Sequence, residues 1–140
     1  MSGYPNVHDY TALNEYIELQ LHLLEVKDKE EVKRICFDML KLIPMALMQS
    51  KEFGSRWKKA RRESLENSGE YHDESYYDMY VPIRLNATPY KKLAIIYEKE
   101  GNYSQAIQLC EEALSFGFTD DGTKGGMEGR LAKLKKKAGL

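Results

Sequence analysis

The chain has 140 residues, with 21 basic and 22 acidic side chains and a formal net charge of −1. That length is near the commonest domain size and can bury a core, so a single helical domain over 1–140 is expected. The balanced charge argues against a protein dominated by nucleic-acid or membrane electrostatics.

No apolar run approaches the roughly 18 residues of a membrane span. The opening MSGYPNVHDY lacks the charged and apolar regions of a secretory signal, so a cytoplasmic protein with no membrane partner is expected.

In chain order, the first predicted unit is a pair of antiparallel helices over about 9–43. Pro44 then opens a new helix over 44–66, with Met45, Met48, Phe53, Trp57, Ala60 and Ser64 on one side and Trp57 as an anchor into the core. Gly54 weakens this helix by roughly 1 kcal/mol relative to alanine. Its RWKKARR segment sets five cations, Arg56, Lys58, Lys59, Arg61 and Arg62, around one tryptophan. Such a cluster either contacts phosphates or is a solvated face. Glu66, Glu70, Asp73, Glu74 and Asp78 follow it closely and offer neutralisation within the chain.

From 67 to 86 the composition turns to Asn, Ser, Gly, His, Asp and Glu, which is loop chemistry. Tyr71, Tyr76, Tyr77 and Tyr80 make that loop unusually aromatic. Either they pack back on the helices with wet hydroxyls or they form a surface of their own.

The most informative stretch is 87–120. Thr88 is set to cap a helix with Pro89 in its first turn. Tyr90, Leu93, Ala94 and Tyr97 form an apolar stripe, and Gly101-Asn102 breaks the helix because both residues tolerate the left-handed conformation. Ser104 or Asn102 caps a second helix whose apolar face is Ala106, Ile107, Leu109, Cys110, Ala113 and Leu114. The small side chains of Ala94 and Ala106 let two helices approach closely, which predicts an antiparallel hairpin.

The order Tyr90, Leu93, Ala94, Tyr97, Gly101, Tyr103, Ala106, Cys110, Ala113 resembles the signature of the tetratricopeptide repeat. Cys110 stands in place of the usual aromatic and Phe118 in place of the terminal proline. The tail DDGTKGGMEGRLAKLKKK resembles that of small bacterial and phage proteins with such a repeat. Sliding the chain by 74 residues lays Tyr16 on Tyr90, Leu19 on Leu93, Cys36 on Cys110 and Leu40 on Leu114. Residues 9–43 are thus either a degenerate copy or an ordinary helical hairpin. A last helix over 126–138 is expected to cap the array through Met127, Leu131 and Leu134. The expected fold class is all-α, with tetratricopeptide-like hairpins and a C-terminal capping helix.

Two surfaces are candidates for binding. The resemblance implies a groove face presenting Lys91, Lys92, Ile95, Glu98 and Lys99, with Ile17, Glu18, Leu21 and Leu24 as the counterpart from the first hairpin. Lys91 and Lys92 either receive a carboxylate from a protein or peptide partner or are solvated lysines. The second is the basic segment at 56–62, which suits nucleic acid as the alternative partner. Nothing in the sequence decides the oligomeric state. His8, His22 and His72 are too dispersed for a ligand pair, and there is no HExxH or CxxC. DDGTKGG lacks the strand-to-helix context of a phosphate loop. Cys36 and Cys110 fall inside apolar stripes, as buried small hydrophobes. No catalytic site, metal or cofactor is therefore expected, and a non-enzymatic interaction adaptor or regulator is the functional expectation.

Overall fold

The structure is a computed structural model that describes residues 3–140. Among these residues it is all-α, with no strand. A 3₁₀ turn at Val7–Asp9 is followed by α1 (Thr11–Leu23), α2 (Lys29–Asn67), α3 (Glu74–Met79), α4 (Thr88–Lys99), α5 (Tyr103–Ser115) and α6 (Gly126–Lys137). No helix is long and apolar enough to cross a membrane.

The expected break at Pro44 does not occur. What the sequence divides into the end of a hairpin and a separate basic helix over 44–66 is one 39-residue helix with Pro44 inside it. An interior proline costs about 3 kcal/mol through its missing N–H and its ring. Here Pro44 lies on the exposed side, while Ile35, Cys36, Met39, Ile43 and Ala46 are fully buried on either side of it. That continuous stripe displaces the expected one, so Met45 and Met48 point outward, 52% and 66% exposed, and Ser64 is exposed too. The expected loop over 67–86 also contains a helix, α3. The Asp73 carboxylate caps it by accepting the N–H of Tyr76 at 3.2 Å.

The chain forms two compact units. The first comprises Met1–Gln20 and Leu42–Leu85. Its core is built on Tyr10, Leu13 and Phe53, with Val7, Ile17, Trp57, Ile83 and Leu85 packed around them. Two polar contacts fix the antiparallel register of α1 against this part of α2. The Leu13 N–H, one of the first-turn donors that α1 cannot satisfy itself, bonds the Gln49 side chain at 2.9 Å. Arg56 donates to the Tyr10 hydroxyl at 2.7 Å while Phe53 meets the Tyr10 ring edge-on at 5.8 Å. Gly54 is buried inside the helix, where a Cβ would lie 3.6 Å from Val81.

The second unit comprises Leu21–Lys41 and Asn86–Leu140. Here α5 packs against both α4 and α6. Tyr90, Leu93, Ala94, Ala106, Cys110 and Ala113 are all buried, and the Tyr90 hydroxyl donates to Glu112 at 2.8 Å. Phe118, in the place of the expected proline, is buried against the Tyr90 ring. Asn102 rather than Ser104 caps α5, accepting the N–H of Gln105, and Gly101 holds φ at +76° in the turn before it. Thr88 is the first residue of α4 rather than its cap; its N–H is taken by the Asn86 side chain. The first stretch of α2 joins this unit, with Phe37 edge-on to Tyr97 at 6.4 Å and Lys29 and Lys33 paired with Glu100. Burial pushes the Cys36 and Cys110 thiols up to about 11, so both stay protonated at neutral pH.

Entry into α6 is fixed by a backbone constraint and a buried ion pair. Gly126 has φ +64°, and a Cβ there would sit 2.6 Å from the Thr119 carbonyl oxygen, which accepts the Met127 N–H at 2.8 Å. Asp121, 6% exposed, accepts from the Thr123 backbone N–H at 2.9 Å, from the Thr123 hydroxyl and from Arg130 Nε at 2.8 Å. Met127 and Leu134 are then buried, with Leu131 half-buried.

Two outcomes follow for α6. Gly126→Ala should cost about 1–3 kcal/mol through strain and the clash with Thr119. Gly129→Ala, at an interior helix position with nothing within 4 Å of its Cβ, should gain about 0.5–1 kcal/mol. Urea melts showing both changes of the same sign would contradict this geometry.

The Asp121 carboxyl gives a pH-dependent counterpart. Burial raises its pKa, but the bonds from Thr123 and Arg130 outweigh burial and bring it from 3.8 to about 2. A depressed folded-state pKa adds stability above the unfolded value, and that stability is lost as pH falls through about 2. Asp121→Asn should therefore be less stable than the wild type by on the order of 2 kcal/mol at neutral pH. Denaturant titrations should show that gap narrowing between pH 3.8 and 2; a gap constant across this window would show that the ion pair does not set it.

Candidate functional site

The five α4 residues expected on one groove do not share one. Lys91, Lys92 and Ile95 line a recess of about 420 Å³ whose opposite wall is the turn at Asp120, Asp121 and Gly122. Lys91 is half-buried along its stem, and its amine comes within 3.6 Å of where a Cβ on Gly122 would be; the glycine leaves room for it. Ile95 is half-buried and Lys92 exposed. Glu98 faces elsewhere, paired with Lys137 along a smaller recess beside α6. Lys99 is exposed and lines neither recess. Among the described residues Lys91, Lys92 and Lys99 form no salt bridge. Of the proposed counterparts, Ile17 packs into the first unit's core, while Leu21 and Leu24 are 60% and 79% exposed.

The basic segment is mostly committed within its own unit. Arg56, exposed, donates to the Tyr10 hydroxyl. Lys58 bonds Asp78 at 2.6 Å and Glu74 at 3.3 Å; the Asp78 carboxylate, with Glu74 behind it, holds its pKa above the ordinary lysine value. Arg62 bonds Glu74 at 2.7 Å, approaches Glu66 and lies over the Tyr77 ring at 4.5 Å. Arg61 is engaged by the Tyr4 side chain, whose hydrogen bond raises the guanidinium pKa. Lys59 alone of the five makes no such contact among the described residues. The acidic residues that follow the segment in sequence thus pair with two of its five cations, Lys58 and Arg62.

The tyrosines divide. Tyr77 is buried, Tyr76 half-buried, and Tyr71 and Tyr80 are 71% and 54% exposed. Tyr76 and Tyr80 form an open recess with Tyr4, Trp57 and Arg61. Trp57 therefore does two jobs, covering the Tyr10–Leu13–Phe53 core and walling this recess. Tyr4 is the member sequence reasoning missed. Nothing in the spacing of a tyrosine so near the start connects it to residues 57 to 80.

No protein-family model, curated protein or solved structure matches the chain.

Proposed function

We propose that the protein is a tetratricopeptide-like interaction module that binds an acidic segment or terminal carboxylate of a partner protein at Lys91, Lys92 and Ile95. One observation carries this reading: these lysines line a recess beside a half-buried isoleucine and have no salt bridge among the described residues. Two cations next to an apolar contact suit an anionic peptide group with a hydrophobic neighbour. The basic segment is the weaker site, because phosphate would have to displace Glu74 and Asp78 from Lys58 and Arg62, whereas Lys91 and Lys92 have no carboxylate to give up among the described residues, and Asp121 across their recess is paired with Arg130.

The repeat-like reading is supported by burial of Tyr90, Leu93, Ala94, Ala106, Cys110 and Ala113, and by the left-handed turn at Gly101. It is supported too by register. α2 begins at Lys29 and α5 at Tyr103, the same 74-residue offset that brings Cys36 onto Cys110, both fully buried. Two free, protonated, buried cysteines suit a cytoplasmic setting.

The test is fluorescence anisotropy with a labelled acidic peptide ending in a free carboxylate, beside a basic peptide of equal length. Wild type should bind the acidic one alone, and Lys91→Glu with Lys92→Glu should weaken it by about tenfold or more. Lys92 is exposed and Lys91 half-buried, so the double change should alter stability by about 1 kcal/mol or less. Lys59→Glu is the matched control. Loss of binding in the control with retention in the double variant would transfer the site to the basic segment.

A further inference from the structure

From the recess lined by Tyr4, Trp57, Arg61, Tyr76 and Tyr80, we infer a second binding site, for a proline-rich segment of a partner protein in the polyproline II conformation. The recess holds about 540 Å³ and is lined by residues of the first unit alone. Its rings lie in contact in two pairs. Tyr4 and Trp57 lie with centroids 5.9 Å apart at 48°, and Tyr76 and Tyr80 4.9 Å apart at 57°. His72 stacks flat on Tyr76 at 3.6 Å and is held in turn by Glu70 at 2.7 Å. Tyr77, buried, meets Tyr76 edge-on at 5.3 Å. Aromatic walls already in place bind at low entropic cost.

The polar chemistry of the recess selects the ligand. Its lining contains no carboxylate. The Trp57 indole N–H and the guanidinium of Arg61 only donate, and the tyrosine hydroxyls also can. Among the described residues the Trp57 N–H and the Tyr76 hydroxyl make no hydrogen bond, and Tyr77 carries the one buried side-chain polar atom without a partner. The Trp57 and Tyr76 groups are therefore open to solvent, and so is Tyr80, which is 54% exposed. A wall of aromatic faces with outward donors matches a ligand that offers apolar rings and acceptors but few donors. A proline-rich backbone is that ligand: its carbonyls are unpaired, each proline lacks an N–H, and its extended helix exists before binding. A single-stranded nucleic acid would also stack, but it brings phosphates. The neighbouring cations Lys58 and Arg62 are held by Glu74 and Asp78, which would oppose them.

Trp57 is the only tryptophan, so its emission reports on the recess directly. Titrating the full chain with a polyproline peptide should change that emission saturably, and a glycine-serine peptide of equal length should not. Tyr80→Ala, an exposed site whose loss should leave the far-ultraviolet circular dichroism unchanged, should weaken binding by about tenfold. Arg61→Met should weaken it as well, while Lys91→Glu with Lys92→Glu should leave it intact, which separates this site from the α4 surface. Absence of a polyproline response, a response only to a single-stranded oligonucleotide, or unchanged affinity in both Tyr80→Ala and Arg61→Met would each overturn the assignment.

Discussion

The apolar stripe that keeps α2 helical through Pro44 is the constraint on which both units depend. Ile35, Cys36 and Met39 belong to the second unit, and Ile43, Ala46 and Phe53 to the first. The cost of an interior proline, about 3 kcal/mol, is comparable to burying one or two large side chains. Six buried positions outweigh it. Local propensity yields here to tertiary burial.

Charge satisfaction then sorts the surface. The five cations of the basic segment and the acids of residues 66 to 78 lie close in sequence, and α3 brings Glu74 and Asp78 onto Lys58 and Arg62. Exposed pairs of this kind contribute at most about 1 kcal/mol each. Their greater effect is on the field, since a cation beside two carboxylates attracts a phosphate weakly. The whole-chain charge of −1 therefore conceals two different local situations. Around α3 the opposite charges cancel at contact distance, whereas at Lys91 and Lys92 no such contact is made.

The sequence made the α4–α5 hairpin legible almost residue by residue, because its signals are local: a proline in the first turn, a glycine turn, and small residues at the crossing. The final helix was equally legible from Met127 and Leu134. The boundary at 43/44 was misread because proline is a strong local signal and the stripe overriding it extends over several turns. Met45 and Met48 were misplaced for the same reason, since a stripe restarted at Pro44 points to the wrong side. α3 escaped notice because a six-residue helix has too few turns for a periodic pattern; only the Asp73 cap marks it. The grouping of Lys91, Lys92 and Ile95 was implied by the resemblance to the repeat. Their separation from Glu98 was not, because it is set by Lys137 on another helix.

The aromatic recess shows where reading by segment stops. Trp57, Arg61, Tyr76 and Tyr80 were each visible as unusual residues, but as parts of a helix and a loop with separate explanations. What joins them is the pairing of Lys58 and Arg62 with α3, which draws the Tyr76–Tyr80 turn towards α2 and leaves ring faces and donors on its open side. The same ion pairs thus do two things at once. They pair two of the segment's five cations with carboxylates, and they bring ring faces together beside Arg61. Where part of the charge is already paired, ring contact and hydrogen-bond direction weigh more in ligand selection than net charge.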